Sequence, residues 1–310
     1  MTAPGPLNGY YALVGASRLP EPFKLWHRLH GNGPTRILLI MGLNISHQSW
    51  DFQYNYFGAL PGYSVLVFDN RGVGFSDCPK RVGIRYTTSD MALDTLELLQ
   101  LVGWDRCHVV GISMGGMIAL ELATKYPDMI KSLSLTSTTA GGTLPPLGAI
   151  LNVPKIMFVR DPKTKIQFLR DLIFPPDWLA QGSEDEPGKT NKHILTRTLM
   201  NRTEETRDQT PAGAIGQLLA VLSHHVSPER LKIIVNSKIP VFIATGTWEN
   251  LVDPANSAYL ASQLKPRIYK VFEGGGHAIT TQFSKEYNAL LKGFIDEAEK
   301  GGGERTFSKL

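Results

Sequence analysis

The stretch HVVGISMGGMIALELA, His108–Ala123, sets one serine among glycines, with apolar residues running off on both sides. Serine is a modest strand former, and glycine weakens strands and helices alike. Local stability therefore does not account for this choice of residues. The segment from Cys107, CHVVG, has the short apolar, β-branched character of a buried strand. The segment after Ser113, MGGMIALELATKYP, is apolar nearly all round, as a helix packed on a sheet would be, and Pro127 stops it. A strand that passes so abruptly into a helix needs a sharp turn, whose flanking side chains must be tiny. Gly111 and Gly115 meet that condition, and Ser113 is held up at the end of the strand with a helix N-terminus behind it.

Similar runs recur along the chain: RILLIMG from Arg36, YSVLVFDN from Tyr63, IKSLSLTST from Ile130, IPVFIATG from Ile239 and RIYKVFEGG from Arg267. Short runs that are apolar on both faces suit parallel strands covered on both sides. Helical patterns alternate with them. In SDMALDTLELLQLV, Ala92, Leu96 and Leu99 share one face, and Asp90, Asp94 and Glu97 share another. YYALVGA and FKLWHRLHG precede the alternation with no helix between them, which predicts an antiparallel start. The expected fold class is α/β, a sandwich around a mostly parallel central sheet. One region breaks the rhythm. From Thr139 to Val235 no strand is expected. PKTKIQFLRDLIF and PAGAIGQLLAVLSHH read as helices there, and the polar QGSEDEPGKTNKH between them reads as an exposed loop. The chain thus divides into a first core part, 1–138, an inserted helical cap, 139–235, and a second core part, 236–310, ending in a flexible tail.

Composition sets outer bounds. Apolar residues make up 42% and charged residues 19% of 310, which are globular values that exclude a disordered chain. The net charge of +4 is scattered, and its densest piece, KRVGIR from Lys80, is too thin for a nucleic-acid surface. Cys78 and Cys107 do not make a disulfide framework, so a reducing compartment is expected. The start lacks the basic and apolar regions of a signal peptide, and no apolar run is long enough to span a membrane. The sequons at Asn44 and Asn201 are therefore expected to carry no glycan. The chain ends in Ser308-Lys309-Leu310, a tripeptide read by the peroxisomal import receptor, which predicts a peroxisomal matrix location.

A serine hydroxyl is a weak nucleophile unless a base and an orienting acid serve it. In an elbow of this kind the partners follow in the order serine, acid, histidine. FEGGGHAIT puts His277 in a loop after the last strand. The other histidines lie in early strands (His27, His30), a loop (His47), the strand leading to the elbow (His108) or the cap (His193, His224, His225). After the preceding strand, TGTWENLVDPAN offers both Glu249 and Asp253, and Asp253 before Pro254 could simply cap a helix.

The elbow, the order of these residues and the turn FDNRGVGFSDCP resemble the α/β-hydrolase superfamily, in its serine esterase and lipase branch, over most of the chain outside the cap. The resemblance implies that Glu249, in Gly246-Thr247-Trp248-Glu249, stands where the family more often has Asp, with Asp253 as the alternative acid. LLIMGLNISHQSW matches the family's oxyanion loop, with Met41-Gly42-Leu43 where many members have His-Gly-x. The backbone N–H groups of Leu43 and Met114 are then expected to form the oxyanion hole. Gly72 and Gly74 do not signal a dinucleotide, since a third glycine and a ribose-binding acid are missing. The family reading implies no cofactor and no metal. It implies acyl transfer by Ser113, His277 and Glu249 onto water, from a carboxylic ester or thioester of a hydrophobic acyl or secondary-metabolite substrate, in keeping with Pro145, Pro146, Phe174 and Trp178 in the cap. Two alternatives stay open: the same triad acting on a carbon–carbon bond of a diketone-like substrate, and a non-hydrolytic binding or cofactor-free oxygenase member of the fold.

Overall fold

The computed structural model describes residues 3–79 and 85–301. Lys80 to Ile84 of the basic stretch, and the tripeptide Ser308, Lys309 and Leu310, lie outside the described residues.

The strands are β1 (Ala3–Pro4), β2 (Tyr10–Val14), β3 (Phe23–Gly31), β4 (Thr35–Ile40), β5 (Tyr63–Phe68), β6 (Cys107–Ile112), β7 (Ile130–Thr136), β8 (Val241–Gly246) and β9 (Ile268–Phe272). They form one sheet in the order β1-β2-β3-β5-β4-β6-β7-β8-β9. The first three strands are antiparallel, and β3 meets β5 antiparallel. From β5 through β4 to β9 every pairing is parallel. Every residue of β5, β6 and β8 is buried, because helices cover both faces. Along β5 the side chains alternate between two cores. Val65 and Val67 join Phe57 of α1 (Asp51–Gly58) and Leu291 and Phe294 of α12 (Ser284–Glu299). Leu66 and Phe68 join Met91 and Leu98 of α2 (Thr88–Leu101) and Ile118 of α3 (Met114–Lys125). The result is a three-layer α/β/α sandwich.

Between β7 and β8 lie six helices: α4 (Leu147–Phe158), α5 (Pro162–Ile173), α6 (Pro176–Ala180), α7 (Asn191–Glu205), α8 (Pro211–Leu222) and α9 (Pro228–Asn236). Only α5 and α8 were expected. The polar stretch 181–193 is not wholly loop. Its last three residues open α7, whose first turn is capped by the Thr190 side chain accepting from the His193 N–H. The α9 helix packs against α3 and against α10 (Pro254–Leu264), with Leu231 and Ile234 in the sheet-facing core.

The acidic face of α2 also differs from a solvated helix face. Asp94 is 2% exposed and accepts from Arg71 Nε and Nη2, both at 2.6 Å, and from Arg18 Nη2 at 2.7 Å. Glu97 accepts from Arg18 and from the Gly15 N–H. The charges that look like a water-facing stripe tie the helix to the N-terminal hairpin and to the turn after β5.

Candidate active site

Ser113 is the residue between β6 and α3. Its backbone sits at φ 55°, ψ −123°, a strained conformation for a residue with a Cβ. Hydrogen bonds on both sides hold it there. Its N–H donates to Thr136 O at 2.9 Å, and its carbonyl accepts from the Gly116 N–H at 2.9 Å and from Thr138 Oγ1 at 2.7 Å. The flanking glycines are needed for close approach. A Cβ on Gly111 would lie 2.3 Å from Gly115 O, and one on Gly115 would lie 2.0 Å from Ile40 O. The elbow is therefore pressed against its own helix on one side and against the end of β4 on the other.

His277 lies in the loop between β9 and α11 (Ile279–Gln282). Its Nδ1 is 2.8 Å from both Glu249 Oε1 and Oε2. The Glu249 side chain is fully buried, and Oε1 also accepts from the N–H groups of Leu251 at 2.9 Å and Val252 at 3.2 Å. A carboxylate held by three donors at once has a fixed direction, which in turn fixes the ring. The two loops are joined beneath by the Trp248 N–H donating to Gly275 O at 2.8 Å. Above them the C-terminal end of α5 accepts from both: Ile173 O from the His277 N–H at 3.0 Å, and Leu172 O from Asn250 Nδ2 at 3.4 Å. Asp253 is exposed. It caps α10 through an acceptance from the Ala255 N–H at 2.9 Å and makes no bond to His277. Among the described residues, Ser113 Oγ and His277 Nε2 are not hydrogen-bonded to each other.

The Met41-Gly42-Leu43 loop lies over the serine, and a Cβ on Gly42 would stand 3.1 Å from Ser113 Cβ and 3.6 Å from its Oγ. The N–H groups of Leu43 and of Met114, the first residue of α3, donate no hydrogen bond among the described residues. The loop lacks the histidine common in this position, and other residues hold it. Asn70 Nδ2 donates to Met41 O at 2.9 Å, and Gln217 Oε1 accepts from the Asn44 N–H at 2.7 Å. Further on, His47 gives both its N–H and its Nδ1 to Asp69 Oδ1 at 2.8 Å, and its ring stacks on Trp26 at 4.0 Å. None of Asn70, Gln217 or the His47–Asp69 pair stands out in the sequence; only the FDNRG motif points to its neighbourhood.

The remaining histidines are engaged elsewhere or lie apart. His108 is buried between Ser132 and Glu299, and His224 pairs with Thr88. Phe174 and Trp178, expected as pocket residues, stack on each other at 5.2 Å. Phe174 is 2% exposed and, with Leu179 and Leu195, packs the cap over Ala278 next to the histidine. Among the described residues no three His, Cys, Asp or Glu side chains converge as metal ligands, and no helix is long and apolar enough to cross a membrane.

Comparison with known proteins agrees with this architecture. Over 282 residues the chain is 26% identical to a protein of Stutzerimonas stutzeri named as a candidate carbamate hydrolase, RutD, covering 89% of this chain and 96% of that protein. A thermophilic esterase from Thermogutta terrifontis superposes with a TM-score of 0.74 at 17% identity, covering 93% of this chain and 98% of that one. A meta-cleavage product hydrolase from Pseudomonas fluorescens IP01 gives a TM-score of 0.72 at 17% identity, with 89% and 95% covered. At such identities the two structures bear on the fold alone. Residues 35–281, which run from β4 past the His277 loop, match the family model described as alpha/beta hydrolase fold, and the chain belongs to that family.

Proposed function

We propose that the protein is a serine hydrolase that opens a carboxylic ester or thioester of a hydrophobic acyl substrate through an acyl-enzyme. The observation that carries this reading is the buried Glu249 carboxylate set on His277 Nδ1, in loops tied to each other and facing the same sheet end as the strained Ser113. A carboxylate on Nδ1 fixes the tautomer whose Nε2 accepts a proton, and it stabilises the imidazolium that follows. In this reading substrate binding brings Ser113 Oγ and His277 Nε2 within hydrogen-bond reach, since catalytic hydrogen bonds often form only in the substrate complex.

In the proposed cycle His277 Nε2 takes the Ser113 proton as Oγ attacks the acyl carbon. The carbonyl oxygen becomes an oxyanion held by the N–H groups of Leu43 and Met114. The intermediate collapses as the alcohol or thiol leaves with the proton from His277. Water, deprotonated by the same nitrogen, then releases the acid and restores Ser113. The preference for an apolar substrate is supported by Leu144, Leu147 and Leu151, which are exposed at the start of α4, where Gly148 lies beside Asn250 O of the acid loop.

A fluorophosphonate should label Ser113 and leave Ser113→Ala unlabelled. A panel of esters of graded chain length, acyl-CoAs and vinylogous diketones then assigns the bond. Turnover of esters or thioesters, best with apolar acyl groups, is expected. Cleavage of the diketones alone would replace the ester reading with carbon–carbon hydrolysis.

A further inference from the structure

The oxyanion loop is fastened to the cap by two glutamines that the reaction as described does not use. Gln217 lies on α8, is fully buried and bridges two segments of the core. Its Oε1 accepts from the Asn44 N–H at 2.7 Å, and its Nε2 donates to Arg71 O at 2.8 Å. Gln209, just before α8, donates through Nε2 to Asn44 Oδ1 at 2.9 Å and to Gly72 O at 3.0 Å. Asn44 itself has φ 58°, a left-handed conformation that depends on such local bonds.

The positions of these bonds along the backbone matter. The N–H expected to hold the oxyanion belongs to the peptide between Gly42 and Leu43. The preceding peptide is pinned through Met41 O by Asn70. The following peptide is pinned through the Asn44 N–H by Gln217. A rigid peptide plane between two fixed neighbours has little freedom to turn, so its N–H direction is set without any bond to that N–H itself. Since Asn70 belongs to the core and Gln217 to the cap, the hole has one support on each side of the cap–core boundary.

We propose that Gln217, backed by Gln209, is a positioning residue that orients the Leu43 N–H, so that the oxyanion hole is complete only while α8 is seated on the core. This inference rests on the serine-hydrolase reading. It gives the cap a part in the chemical step as well as in shaping the pocket. Preorganised donors of this kind act in the transition state more than in ground-state binding, so the loss should fall on kcat.

The test first establishes that fluorophosphonate labels Ser113 in the unaltered protein; absence of labelling there would remove the hydrolase reading itself. Gln217→Leu and Gln217→Glu are then compared for p-nitrophenyl ester turnover, labelling rate and melting temperature. Loss of a whole oxyanion donor costs about 100- to 1,000-fold in kcat. A misdirected donor is expected to cost Gln217→Leu roughly 10- to 100-fold in kcat, with KM within about twofold and labelling slowed by a similar factor. Gln217→Glu keeps the acceptor for Asn44 and regains the donor to Arg71 O only when protonated. Its activity relative to the unaltered protein should therefore rise as pH falls, a readout that a purely structural glutamine would not give. Folded Gln217→Leu with unchanged kcat would overturn the proposal. If that variant does not fold, a flat pH ratio for Gln217→Glu overturns it instead.

Discussion

Glu249 and Asp253 stand four residues apart in one loop, and their hydrogen bonds assign them different work. Glu249 faces inward and takes the imidazole together with two backbone N–H groups, whereas Asp253 faces solvent and caps α10. Glu249→Gln should keep the fold but lower kcat by about 10⁴-fold, since an amide supports the wrong tautomer of His277. Asp253→Asn should leave kcat unchanged and cost well under about 1 kcal/mol, because asparagine caps nearly as well as aspartate. Reversal of the two kinetic results would move the acid to Asp253. Residues of this site were legible in proportion to how local their signal is. The elbow is contiguous, so Gly111, Ser113 and Gly115 could be read directly. The choice between Glu249 and Asp253 turns on which way a loop carboxylate points, which spacing does not encode, and only the family resemblance separated them. Gln217 was invisible because its two bonds span 173 and 146 residues, and a glutamine on an apolar helix carries no mark of that.

At the scale of elements, the strands were readable because burial on both faces forces continuous apolar runs, as in the fully buried YSVLVF of β5. Cap helices were harder. The α4 helix carries a breaker, Pro154, inside its apolar run, and only Leu195 of the long α7 is buried, so the first is interrupted in sequence and the second lacks the apolar stripe that marks a helix on a core. The acidic face of α2 was legible as a face but not by its partners: Asp94 is polar yet buried, its charge met by Arg71 and Arg18. Two glycines make the packing argument testable. Gly115→Ala would push a methyl group to 2.0 Å from Ile40 O, a backbone atom that cannot yield without shifting the end of β4. Overpacking of this kind costs at least about 1–3 kcal/mol, which lowers the melting temperature by roughly 2–5 °C in a chain of this size. Gly293 lies exposed within α12 with nothing near its missing Cβ. Gly293→Ala should instead stabilise by about 0.5–1 kcal/mol through helix propensity. Equal effects at the two positions would contradict the tight approach of α3 to β4.

Across the whole molecule, the chain leaves the sheet for the helical insertion and comes back at a single joint. There the Val226 N–H donates to Ala140 O at 2.8 Å, and Gly141 bridges His225. His224 sits in that joint, 4% exposed, with Nδ1 2.8 Å from Thr88 Oγ1 of α2. Burial pushes its pKa down from 6.5 to about 4; the nearby Glu121 carboxylate favours the proton, Arg230 and His225 oppose it, and burial prevails. In β3, His30 is likewise lowered to about 4 by burial, stacked on Tyr54 at 4.2 Å. The sign follows from linkage. An unfolded histidine takes up its proton near pH 6.5 while the folded one resists to about 4, so acid favours the unfolded chain over that window. The stabilisation is fully present above pH 6.5; for His224 it declines by about 1.4 kcal/mol per unit until pH 4, and for the half-buried His30, screened by solvent, by less. For the deeply buried His224 this amounts to about 3 kcal/mol, acting at the joint next to α8, the helix that carries the Gln217 bridge to the Met41-Gly42-Leu43 loop. Melting temperatures taken from pH 7.5 down to 4.5 should therefore fall steeply below 6.5. His224→Asn, whose side chain does not titrate and whose Oδ1 can still accept from Thr88, should flatten that fall while lowering stability little at pH 7.5. An unchanged slope in the variant would place the acid sensitivity elsewhere in the fold.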